Sequence, residues 1–94
     1  SDPQVLDTTW SQVKLVMAPG ALDPLTKELI YIAISAVNNC AYCVHTHTHA
    51  ARAKGLTDAM HAELLLVLAL ESQTNGVAIA LQVPVDERYR EPPA

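Results

Sequence analysis

Proline and glycine fall at Pro19-Gly20, Pro24, Gly55, Gly76 and Pro84, and between these breaks the apolar residues recur at helical rather than alternating spacing. A protein punctuated in this way folds as helices, so the class expected is all-α. Residues 3–17 read as a first helix with Val5, Trp10, Val13, Val16 and Met17 on its buried side. Asp23 is a good N-cap, and Pro24 at the first helical position sacrifices an N–H that would have no partner there; a second helix follows over 24–37. Asn38-Asn39 favours a cap over a helix interior, and Gly55 closes a third helix over 40–54 with Arg52 and Lys54 near its C-terminal end. Thr57 caps a fourth, 58–72, which Asn75-Gly76 interrupts before a short last helix over 77–82. Residues 86–94 read as a charged, proline-ended tail. No internal repeat or low-complexity segment is visible.

A length of 94 residues makes one domain, 1–94, and buries only about two-thirds of its unfolded surface. Half of the residues are apolar and 17% are charged. Leu64 to Leu68 and Leu70 leave the fourth helix little polar surface, so part of the apolar surface is expected to be covered in a homo-oligomer. A net charge of −4 without a basic cluster argues against nucleic acid and anionic membrane as partners. No run of eighteen apolar residues occurs, and Ser1-Asp2-Pro3 lacks the basic-then-apolar pattern of a signal peptide. The start without Met suggests processing or truncation, and the expected location is cytoplasmic.

The two cysteines, Cys40 and Cys43, stand three apart, and His47 follows four residues later. In an intracellular protein the C-x-x-C spacing usually signals redox or metal chemistry. On a helical wheel of roughly 100° per residue all three share a face. His47 lies about 6 Å above Cys43 and about 10 Å above Cys40 along the axis, and helical side chains lean toward the N-terminus. The imidazole is therefore expected to reach back to Cys43, directly or through one water. The partial positive charge of the helix N-terminus favours thiolate at both cysteines. The histidine offset makes Cys43 the nucleophile and Cys40 the resolving thiol. Against this, the cysteine nearer the helix end is usually the attacker in C-x-x-C redox proteins, which would exchange the roles.

Glu28, Tyr31, Ser35 and Asn39 form a polar stripe on one face of the otherwise apolar second helix. Polar groups in a buried helix need partners. Glu28 could orient His47 or relay a proton toward Cys43, with burial raising its pKa into a useful range. Other roles compete. The cysteines could be inert and buried, or Cys40, Cys43, His47 and Glu28 could bind zinc, although no second pair completes a strong site. Covalent haem attachment is disfavoured because Val44 follows Cys43. His45 and His49 project away from His47 and read as exposed or interface residues, as does His61; Tyr42 could line a pocket or pack between subunits.

Glu28 followed by Cys40-x-x-Cys43-x-x-x-His47 resembles the signature of the alkylhydroperoxidase D-like branch of the carboxymuconolactone decarboxylase family. The similarity runs over residues 22–70, including Asn-Asn-Cys-x-Tyr-Cys and Gly55-Leu56-Thr57. The resemblance implies an all-helical homotrimer or homohexamer without cofactor. In it the second cysteine of the motif, Cys43, attacks a hydroperoxide, Cys40 closes the disulfide, and Glu28 and His47 relay protons. A dithiol or protein reductant would then restore the pair. One position departs: the histidine often found before the second cysteine is Tyr42 here. A metal-binding or structural module without turnover is the alternative from another class. A lactone decarboxylase of the same family is a third, which would not be expected to depend on a cysteine pair.

Overall fold

The computed structural model describes residues 2–92. Among these residues the protein forms four α-helices, α1 (Pro3–Met17), α2 (Pro24–Val37), α3 (Ala41–Ala53) and α4 (Asp58–Ala80), followed by a 3₁₀ turn at Glu87–Tyr89. The expected all-α class holds. Positions 1, 93 and 94, the last two belonging to the expected tail, lie outside the described residues. Within that tail Glu87–Tyr89 takes regular structure, and the Arg88 guanidinium sits 4.6 Å over the Tyr89 ring.

The helix starts follow the capping residues. Asp23 accepts hydrogen bonds from the Thr26 N–H and hydroxyl, each at 2.8 Å, and these bonds hold its carboxyl below the ordinary aspartate range. Thr57 accepts from the Met60 N–H at 3.1 Å. Two residues in the left-handed region make the turns around α3: Asn39 (φ 60°) before it, and Gly55 (φ 107°) after it. Asparagine tolerates that region better than most residues and glycine enters it freely. The turn at Asn39 folds α3 back along α2, and the turn at Gly55 leads from α3 into α4.

Asn75-Gly76 does not interrupt the last helix; α4 runs unbroken to Ala80. The side-chain amide of Asn75 donates to the Glu71 carboxylate one turn back, so Asn75 supports the helix instead of capping it, and the Ser72 hydroxyl donates to the same carboxylate. Glycine inside a helix costs only about 1 kcal/mol relative to alanine. The helix gives way beyond Ala80, where Gln82 adopts a positive φ of 49°.

Helix α2 contacts α1, α3 and α4, and packs most closely on α3. The buried centre is small: Ile32, Ala51 and Leu56, with Leu25, Leu29, Met60 and Leu64 against it. Of the first-helix side expected to be buried, Val13 and Met17 are half-buried, while Val5, Trp10 and Val16 remain exposed because α1 meets the rest of the protein mainly through α2. Helix α4 buries no residue completely, and Leu65, Leu66, Val67 and Leu70 stand in solvent. The accessible surface is 7624 Å², against about 5,300 Å² for a compact folded monomer of this mass. No helix among the described residues is long and apolar enough to cross a membrane.

Candidate functional site

Cys40 is the N-cap of α3 and Cys43 its third residue, so the helix begins one position later than expected and holds the first cysteine at its threshold. The two sulfurs are joined in a disulfide. The Cys43 N–H donates to Cys40 Sγ at 3.3 Å, so the sulfur occupies the place where a serine or aspartate oxygen usually satisfies a free helix amide. The entry into α3 is held from α2 as well, since the Cys40 N–H donates to the Ser35 carbonyl at 2.9 Å.

Glu28 lies on the α3 side of α2 and is only 2% exposed. His47 Nδ1 donates to its Oε1 at 3.1 Å and approaches Oε2 at 3.3 Å. Lys54, at the end of α3, brings Nζ within 3.7 Å of Oε2. A buried carboxylate is costly unless such partners meet it. With Nδ1 protonated and bonded to Glu28, the neutral imidazole carries its lone pair on Nε2, the arrangement in which a histidine can accept a proton.

The polar stripe predicted on α2 is the side that packs on α3. Glu28 and Ser35 are buried and Tyr31 is half-buried; Asn39, the last position of the stripe, is exposed in the turn. Tyr31 stacks on His47, with ring centroids 3.6 Å apart and planes 18° from parallel.

Two cavities of more than 400 Å³ adjoin the site. The larger, about 520 Å³, is walled by Met17, Leu22, Ile30 and Ile34 and contains Tyr31 and both cysteines in its lining. Lys27 also borders it, with Nζ tied to the Val16 and Ala18 carbonyls at 2.8 and 2.7 Å, which fastens the end of α1 beside the cleft. The second, about 420 Å³, is lined by Glu28, His47 and Lys54 on one side and by Trp10 and Lys14 of α1 on the other.

The expected constellation thus forms as two linked pairs. Glu28 meets His47, Cys40 meets Cys43, and Tyr31 touches the imidazole while lining the sulfur cleft. His47 makes no direct hydrogen bond to either sulfur, and its Nδ1 is turned across to α2, where Glu28 holds it. Tyr42 is 73% exposed and absent from the cleft lining, while His45 and His49 are exposed, as the helical wheel indicated. His61 is half-buried at the start of α4. No group of three or more His, Cys, Asp or Glu side chains converges as a metal site among the described residues.

Lys54 is the residue that sequence reasoning missed. Its place near the end of a helix accounts for a positive charge without further role, yet it stands seven positions from His47 and so returns to the same face after two turns. The stripe places Tyr31 on the correct face, but periodicity within α2 says nothing of its stacking on a ring from α3.

The carboxymuconolactone decarboxylase family model matches residues 3–86. The structure superposes on the crystal structure of the alkylhydroperoxidase AhpD core from Rhodospirillum rubrum with a TM-score of 0.90 and 57% identity, covering 94% of this protein and 65% of that one. An alkyl hydroperoxide reductase AhpD from Solibacter usitatus is 34% identical over 71 residues, 76% of this protein and 38% of the relative. A Paracoccus denitrificans protein named "uncharacterized protein 4 in cox locus" is 41% identical over 56 residues, 60% of this protein and 50% of the relative. The matched segments therefore span half or less of the length of these two curated relatives.

Proposed function

This protein belongs to the carboxymuconolactone decarboxylase family as an AhpD-like member, and from that premise we propose that it is a cofactor-free, thiol-dependent peroxidase that reduces hydroperoxides through Cys40 and Cys43. The observation that carries the reading is the disulfide at the N-terminus of α3, opening on an apolar cleft one ring away from a carboxylate-held histidine.

In the reduced protein, His47 Nε2 takes the thiol proton of Cys43, directly or through one water. The thiolate attacks the distal peroxide oxygen, the S–O bond forms as the O–O bond breaks, and the departing alkoxide recovers the proton from His47 as alcohol, or as water from hydrogen peroxide. Cys40 then attacks the sulfenic sulfur, water leaves and the disulfide closes. A dithiol or dithiol protein reduces it by exchange and is itself oxidised. Glu28 keeps the His47 tautomer that this sequence requires, and Lys54 supplies its counter-charge. A homotrimer or homohexamer is part of the proposal, supported by a surface roughly 2,300 Å² larger than a compact monomer needs, within the range that obligate interfaces bury.

One observation favours the reverse order of the cysteines. The amide that donates to Cys40 Sγ would also stabilise a Cys40 thiolate, so Cys40 could attack and Cys43 resolve. Hydroperoxide consumption with dithiothreitol as reductant tests the activity: Cys40→Ser and Cys43→Ser should each abolish turnover, and full activity in both would refute it. Trapping the sulfenic acid in each variant decides the order, since it should form only where the attacking cysteine remains.

A further inference from the structure

Two interactions from α2 converge on the His47 ring. Glu28 holds its edge through Nδ1, and Tyr31, one turn further along the same helix, covers its face. Hydrogen bonding at Nδ1 alone still lets the imidazole rock about its χ1 and χ2 bonds while the N–H···O contact bends. Nε2 lies on the far side of the ring, so such rocking would sweep its lone pair through an arc. A flat contact against a second ring opposes the motion, because rotation separates the two faces and loses the contact between them. Edge and face together define one orientation where either alone would leave several.

The position of the tyrosine gives this clamp its meaning. Tyr31 lines the cleft that contains both sulfurs, whereas Glu28, His47 and Lys54 line the neighbouring cavity. The ring that sets the histidine plane is thus also a wall of the space in which sulfur chemistry would occur. Tyr42, the aromatic inside the motif, is too exposed to serve this purpose.

We propose that Tyr31 is a positioning residue, whose ring fixes the plane of His47 and thereby aims Nε2 while Glu28 sets the tautomer. It deepens the peroxidase reading and rests on it for its role in turnover, but the orientation itself can be measured without turnover. The stack, not the phenol hydroxyl, carries the effect.

Tyr31→Phe keeps the ring, Tyr31→Leu removes it, and Tyr31→Met supplies an unbranched apolar side chain should the leucine variant fail to melt cooperatively. In the reduced protein, the His47 Nδ1–H is followed by nitrogen-15 NMR, with His47→Gln identifying its resonance. Alkylation of Cys43 by iodoacetamide is followed in a Cys40→Ser background. Tyr31→Phe should stay within about twofold of the parent in both solvent exchange of that proton and alkylation rate. Loss of the ring should speed the exchange and slow the alkylation by roughly fivefold, within the range that an aromatic pair supports. Parental values in the leucine or methionine variant would overturn the proposal, as would a phenylalanine variant as impaired as they are. A protein that passes these tests yet consumes no hydroperoxide would refute the peroxidase reading alone.

Discussion

Between α2 and α3 a carboxylate, an imidazole and a hydroxyl-bearing side chain are enclosed, whereas along α4 Leu66, Val67 and Leu70 stand in solvent. The first region sets polar groups beside its small apolar centre and supplies two of them with partners: His47 and Lys54 for Glu28, and the Tyr31 ring for His47. The second carries apolar side chains that nothing in the single protomer covers. The contrast separates two tasks. Helices α2 and α3 bring the candidate site together, and α1 with α4 keep apolar surface exposed, which the proposed homo-oligomer would cover.

Removing the central carboxylate attacks the first region at its most sensitive point. Glu28→Ala should lower the free energy of unfolding by about 1–3 kcal/mol, since Lys54 and the Nδ1–H of His47 lose a buried acceptor, and should lower peroxide turnover by about 10²-fold or more. Denaturant titration and a coupled dithiol assay measure the two effects, and a variant unchanged in both would mean that the buried pair is only filling space.

The second region is tested by charge. Leu66→Glu should leave the helix content intact and shift a homo-oligomeric parent toward monomer in sedimentation velocity, because a carboxylate would be buried at the contact. A parent that sediments as a monomer at micromolar concentration would remove assembly as the explanation for the apolar surface. A smaller change sharpens the description of the same helix. Gly76→Ala should stabilise the protein by about 0.5–1 kcal/mol, since the position is interior to α4 and an added Cβ meets nothing within 4 Å. A lowered melting temperature would indicate that this part of α4 is not helical in solution.

The smallest effect is expected at the start of α2, which presents Glu28 to α3. The hydrogen bonds from Thr26 lower the Asp23 pKa from its ordinary 3.8. Its ionised form therefore contributes stability that is present above that value and lost as pH falls through the lower, folded-state pKa. Asp23→Asn keeps a capping acceptor but cannot titrate. It should unfold with a shallower loss of stability below about pH 4, seen in urea melts at successive pH values; identical acid profiles would remove Asp23 from the pH response.

Much of this molecule was legible because its determinants are local. Asp23 and Thr57 announce helix starts by offering oxygens to free amides, Gly55 permits the turn that closes α3, and the spacing of Glu28 from the cysteine pair and His47 identifies the family. The break expected at Asn75-Gly76 failed for an equally local reason, an Asn75–Glu71 hydrogen bond one turn apart that spacing alone did not reveal. Lys54 lay within reach of the helical wheel, but charge near a helix end offered a sufficient account of it.

The helical class, most of the boundaries, the family and the residues proposed to carry the chemistry are therefore written in the sequence, because capping, periodicity and motif spacing act over a few positions. That Lys54 answers Glu28, that Tyr31 holds the face of His47, and that α1 leaves Val5, Trp10 and Val16 exposed became visible only in three dimensions. Those outcomes depend on how two helices are laid against each other. Tyr31 and His47 lie on different helices, and the packing that stacks their rings leaves no trace in the periodicity of either.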